Sequence, residues 1–146
     1  MIMDLQEWLD HYHFDGNSVD MRAEHGNTAL MRACIEGNLV IAELLLALGA
    51  DVTIKNDDGN EALWLACFSE NAQLVSLLIE SGCDKDNANV NGVTPLMYTA
   101  SSGKDEMVKL LLDAGANAHI KNPDDFTAFD LAATPKIYRQ LKEVSV

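Results

Sequence analysis

Four columns of residues recur at a spacing of 33, and this period leaves few folds open to the chain. Gly26, Gly59 and Gly92 form one column; Leu30, Leu63 and Leu96, with Phe129 next, form another. Leu44, Leu77 and Leu110 make a third, and Gly49, Gly82 and Gly115 a fourth. A period of this length marks a structural unit repeated along the chain. Each unit is too thin to bury its own apolar face, so neighbouring units must stack to make a core.

The third copy shows the plan of one unit. Asn91-Gly92 is a tight-turn signal, because glycine tolerates the positive φ that such turns need. Thr94 offers a hydroxyl as helix N-cap, and Pro95 suits the first helical position. A short helix is expected from Leu96 to about Ser102, broken at Gly103. Asp105 is expected to cap a second helix, whose Met107, Val108, Leu110, Leu111 and Leu112 form a broad apolar face. Gly115 then ends that helix in a left-handed conformation. The stretch from Asn117 to Asn122 is polar and extended, and leads into the next turn. In the first copy Thr28 and Asn38 take the two capping positions; in the second, Asn71 takes the later one and Gly82 closes the helix. Ala33 and Ala66 stay small where helices approach closely.

Gly26-Asn27-Thr28-Ala29-Leu30, Gly92-Val93-Thr94-Pro95-Leu96 and Phe126-Thr127-Ala128-Phe129 resemble the ankyrin repeat. So do the leucine runs at 44–46 and 110–112, with Gly49-Ala50-Asp51 and Gly115-Ala116-Asn117. That family has a 33-residue period and a Thr-Pro-Leu-His signature. The resemblance covers about residues 20 to 142 and implies an all-α solenoid of stacked helix-turn-helix units with β-hairpin-like fingers. Three full repeats are expected at about 23–55, 56–88 and 89–121, with an N-terminal capping helix and loop over 1–22 and a C-terminal capping repeat over 123–146. The chain departs from the family pattern in two ways. Met31, Trp64, Met97 and Asp130 replace the signature histidine. In the second copy Glu61-Ala62 stands for Thr-Pro and Glu70 for the helix-breaking glycine. A left-handed Glu70 would cost on the order of 1 kcal/mol, so that repeat is expected to be locally softer, or to keep unusual residues for binding.

The ends read as caps. Leu5, Trp8, Leu9 and Tyr12 fall on one helical face, and Asp4 with Glu7 resembles a capping box. Gly16 and Asn17 mark a loop between Phe14 and Val19. At the other end Pro135 introduces a helix with Ile137, Leu141 and Val144 on its apolar stripe, while Lys136, Arg139, Gln140 and Lys142 face away.

With 48% hydrophobic and 23% charged residues the chain is globular rather than disordered. It has no apolar run of the roughly 20 residues that span a bilayer. Its start, Met1-Ile2-Met3-Asp4, lacks the basic and apolar regions of a secretory signal, so a cytoplasmic location is expected. Cys34, Cys67 and Cys83 are odd in number and lack a Cys-x-x-Cys spacing, which points to buried thiols rather than disulfides or zinc. The net charge is −13. Residues 1–73 hold 13 acids against Arg22, Arg32 and Lys55, and residues 74–146 hold ten acids against seven bases, giving −10 and −3. Such a chain repels phosphate backbones, so direct nucleic-acid binding is not expected. A protein partner with a basic surface is the natural complement.

No constellation points to catalysis. His11, Tyr12 and His13 with Asp10 and Asp15 suggest a metal cluster, but residues 11 and 13 diverge by about 200° on a helix, and a histidine near a helix C-terminus is favoured by the dipole. Asp57-Asp58-Gly59-Asn60 resembles part of a calcium loop, yet Leu65 stands where the loop needs its glutamate. Ser69, Ser101 and Ser102 have no histidine near them in the repeat plan, and no phosphate-binding glycine loop occurs. The reading is therefore of a non-enzyme with no cofactor and no metal.

The resemblance implies a partner held in the concave groove, between the finger tips and the exposed sides of the first helices. By matched position the fingers supply Glu24, His25, Asn27, Lys55, Asp57, Asp58, Asn60, Val90, Asn91, Val93 and Lys121. The first helices supply Arg32, Ile35, Glu36, Trp64, Leu65, Phe68, Ser69, Tyr98, Ser101 and Ser102. Trp64, Phe68 and Tyr98 are candidate anchors, since aromatic side chains dominate interface energetics. For Trp64, packing between repeats is an equal alternative. The expected role is that of an inhibitor, adaptor or assembly factor, monomeric when free. The alternative is an acidic mimic of nucleic acid that blocks a basic protein.

Overall fold

The computed structural model describes residues 4–15 and 18–145. Met1 to Met3, the expected turn residues Gly16 and Asn17, and Val146 lie outside them. Among the described residues eight α-helices follow in this order: α1 (Leu5–His11), α2 (Ala29–Glu36), α3 (Leu39–Ala47), α4 (Ala62–Ser69), α5 (Ala72–Glu80), α6 (Pro95–Ser101), α7 (Asp105–Asp113) and α8 (Pro135–Lys142). The inner helices α2, α4 and α6 pack side by side in sequence order. The outer helices α3, α5, α7 and α8 form a second row behind them.

The caps follow the sequence with one exception. The Thr28 and Thr94 hydroxyls accept the N–H of Met31 and Met97, and the amides of Asn38 and Asn71 accept those of Ile41 and Leu74. These bonds satisfy donors that a helix start leaves open. Before α7, Lys104 takes the N-cap position and makes no side-chain capping bond. Asp105 lies in the first turn instead and pairs with Lys136 at 2.8 Å. The apolar columns become the core: Leu30, Leu63, Leu96, Met31 and Met97 are fully buried, with Ala33, Ala66 and Ala100 at the helix contacts. The three thiols are buried and free.

The fingers are turns, not paired strands. Among the described residues the one bridge is isolated, between Arg22 and Thr28. Each later finger closes by one backbone rung, Asn56 N–H to Asn60 O, Asn89 N–H to Val93 O or Asn122 N–H to Phe126 O, with a turn bond from the N–H of Gly59, Gly92 or Asp125 to the same asparagine's carbonyl, all at 2.9 to 3.0 Å. Inside each turn the asparagine side chain accepts two further amides, those of residues 58 and 60, 91 and 93, or 124 and 126. The chain reverses too quickly for a second rung to form. Finger amides reach across to the preceding finger instead. Asp57 N–H donates to His25 O and Val90 N–H to Asp58 O, both at 3.0 Å. Pro123 occupies the next position in that column and has no N–H to give; its ring packs on Gly92, where any Cβ would overlap it.

The two ends differ from the middle. Asp4 caps α1 by accepting Glu7 N–H at 2.8 Å. Trp8 is buried, with Phe14 stacked on it at 6.2 Å between ring centres. In the last unit the first helix is reduced to one turn, in which Leu131 N–H bonds to Thr127 O. Thr134 then caps α8 through Ile137 N–H at 3.2 Å. Ile137 and Leu141 are buried as expected, whereas α8 stops at Lys142 and leaves Val144 exposed.

Candidate protein-binding surface

The concave surface begins with the local chemistry of α4. No side chain caps this helix: the Glu61 carboxyl turns away to accept Asp84 N–H at 3.2 Å. Glu61 is buried, and the loss of water raises its carboxyl above the ordinary glutamate value, with the neighbouring Asp84 and Asp51 carboxylates adding to the rise. At the other end Glu70 is left-handed, with φ of 57°, as its position in the repeat demands. Its carboxylate reaches Lys104 at 3.4 Å.

Between these ends α4 carries two of the expected anchors. Trp64 is half-buried and stacks on Tyr98 of α6, with ring centres 4.1 Å apart and planes at 29°. The indole N–H of Trp64 has no hydrogen-bond partner. Lys104 lies 5.9 Å from the Tyr98 ring, so Trp64, Tyr98, Lys104 and Glu70 form a line of contacts that ties the second repeat to the third. Burial also raises the Tyr98 phenol above its usual value. Phe68, one turn along from Trp64, is 52% exposed. The same column holds half-buried Ile35 in the first repeat and exposed Ser101 in the third.

The other expected residues divide into three groups. Lys55, Asp57, Asp58, Val90 and Asn91 are exposed on the finger tips, Val90 at 70%. Ser69 and Val93 are half-buried, and Ser102 is exposed. The Ser69 and Ser101 hydroxyls turn back onto carbonyls of their own helices. Asn60 and Leu65 do not belong to the surface, being 4% and 7% exposed. Asn60 closes the second finger from within, and Leu65 turns into the core between α2 and α6, so matched position alone misplaced both.

The chain itself occupies the first repeat's end of the groove. Glu36 accepts the Trp8 indole N–H at 2.9 Å and also the Tyr12 hydroxyl. The Arg32 guanidinium sits 4.4 Å above the Tyr12 ring. The repeat plan makes Glu36 and Arg32 partner contacts, whereas in the structure both hold α1 in place. Nothing in the repeat period reveals this clasp, because α1 lies outside the repeating columns. The finger asparagines at 56, 89 and 122 were also missed, although they share the 33-residue period and their side chains shape the tips.

The N-terminal histidines do not converge. Helix α1 ends at His11, and His13 adopts a positive φ of 64° beyond it. Among the described residues no three His, Cys, Asp or Glu side chains are grouped to hold a metal ion. No described helix is long and apolar enough to cross a membrane.

A family model described as ankyrin repeats (three copies) matches residues 30–122 and, in a second overlapping placement, 63–141. Together these span 112 of the 146 residues. No curated protein matches the sequence.

Proposed function

The chain belongs to the ankyrin-repeat family, and from that premise we propose that it grips one partner protein through the finger tips and inner helices of its second and third repeats. Ankyrin repeats are generally protein–protein interaction modules, and the family is typically non-catalytic. The proposed role is that of a cytoplasmic inhibitor, adaptor or assembly factor. The observation that carries the reading is Phe68: a large apolar side chain, half exposed, beside the stacked Trp64 and Tyr98. Stacking the repeats does not require an aromatic ring there, since serine fills the column in the third repeat. Buried aromatic anchors with a polar rim are the usual energetic centre of an interface. Asp57 and Asp58 supply such a rim and would favour a basic patch on the partner.

Mimicry of nucleic acid is less well supported. Lys55 and Lys104 are interspersed with the carboxylates of this surface, so it does not present the unbroken negative charge of a phosphate backbone. The test is quantitative affinity capture from the native cell with the wild type and the Phe68→Ala/Tyr98→Ala pair as baits. The expected result is at least a tenfold loss of the captured partner, with the melting temperature lowered by only a few degrees. Undiminished capture by the double variant would place the binding surface elsewhere.

A further inference from the structure

Terminal units of a solenoid normally present polar outer faces, and here the outer helix row begins on an apolar one. Among the described residues eight large hydrophobic side chains are exposed, and only Phe68 and Val90 lie on the surface discussed above. Three of the others, Val40, Leu44 and Leu48, form one stripe at i, i+4 and i+8 along α3 and its C-cap. The remaining three, Phe126, Tyr138 and Val144, belong to the last unit.

The α3 stripe does not serve the repeat plan. At the same columns α5 carries Gln73, Leu77 and Ser81, and α7 carries Glu106, Leu110 and Ala114. Leu77 and Leu110 are half-buried against the core, in the outer row where α5 packs on α3 and α7 on α5. Leu44 is the first of this leucine column. Helix α1 leans toward α2, held by Glu36 and Arg32, and leaves the α3 stripe open. At the other end α8 buries Ile137 and Leu141 and exposes Tyr138, Arg139 and Lys142.

The two ends also differ in charge. Residues 4–51 hold nine acids against Arg22 and Arg32, a balance of −7. The last unit, residues 123–146, is close to neutral at −1, but its bases all lie on α8, where Lys136, Arg139 and Lys142 stand against Glu143 alone, with Lys136 paired to Asp105. Two N-terminal ends would repel each other, while the exposed Arg139 and Lys142 of α8 attract an N-terminal end.

We propose that a second copy of this chain stacks head to tail, its α8 face on the α3 stripe, extending the outer helix row from one molecule into the next. The contact is heterologous, so each molecule keeps one free end and association continues with concentration. The expectation of a free monomer gives way to a reversible assembly. It does not depend on the concave surface, which lies on the other side of the helix rows.

Sedimentation equilibrium tests this with two blocked variants, one Leu44→Glu/Leu48→Glu and the other Tyr138→Glu/Lys142→Glu, each first shown by circular dichroism to keep its helices. The wild type is expected to gain weight-average mass with concentration, at least twofold, and to lose that gain as salt is raised. Each variant alone is expected to stay at the mass of one chain. Mixed in equal amounts they are expected to form dimers, because each supplies the end the other lacks. A wild type that keeps the mass of one chain to millimolar concentration overturns the proposal. So does association of the α8 variant alone, which would indicate a two-fold contact through α3.

Discussion

In the third repeat Thr94 caps α6, Pro95 sets its first turn, and Gly103 makes the left-handed exit with φ of 74°. In the second repeat the same three positions hold Glu61, Ala62 and Glu70. The first helix of that copy, α4, has no side-chain cap and a strained exit, and a buried carboxyl sits at its start. Yet α4 keeps the length and register of its neighbours, because α2 and α6 cover it on both sides and Leu63, Leu65, Ala66 and Cys67 are buried between them. Packing on two faces supports a helix whose local signals are poor. The departures fall at both ends of the helix that carries Trp64 and Phe68. A central unit tolerates local defects that a terminal unit, covered on one side only, would not.

The sharpest way to break this contrast is to remove the caps one at a time. Thr94→Ala should lower stability by about 1 to 2 kcal/mol. Glu61→Ala should lower it by less than half as much, since no capping bond is lost there. Urea unfolding measures both, and equal losses would erase the distinction. The helix exits give a smaller effect, opposite in sign between the two repeats. Glu70→Gly should stabilise by up to about 1 kcal/mol by relieving the positive φ, less about half a kcal/mol for the partly buried pair with Lys104. Gly103→Ala should destabilise by a similar amount. Thermal melts read both, and a lower melting temperature for Glu70→Gly would mean that the ion pair outweighs the strain.

The pH dependence of Glu61 should be the smallest effect. Its folded carboxyl titrates above the unfolded value, so its contribution is fully present below the ordinary glutamate range and is lost as pH rises through the folded value. Glu61→Gln should therefore gain stability relative to the wild type over that interval and hold the gain above it. A difference that does not change with pH would show that the carboxyl is effectively solvated.

The repeat units and their core were legible because one period fixes both spacing and burial: every column of leucine or alanine has the same neighbours in each copy. The strain at Glu70 was legible for the same reason, since its column is otherwise glycine. The surface was only partly legible. Leu65 shares its column with Arg32 and Tyr98, and a column assigns one direction to three side chains of different size and polarity. The smaller apolar leucine sinks where the arginine and tyrosine stay half-buried, against Tyr12 and Trp64. The clasp of Trp8 and Tyr12 on Glu36 was hidden because α1 has no sibling for comparison, and the missing strands because a turn of five residues carries hairpin signals whether or not a second rung follows.

The missing amide at Pro123 has a mechanical consequence. The first three fingers are stitched tip to tip through the main chain, so they tilt together when the groove widens or narrows. At the fourth tip the contact of the Pro123 ring with Gly92 takes the place of that stitch, and the bond between the two fingers, from Asn117 N–H to the Asp86 carboxylate at 2.8 Å, lies at their base. A bound protein that pries the groove apart would meet a stiff wall over the first three units and a yielding one at the last.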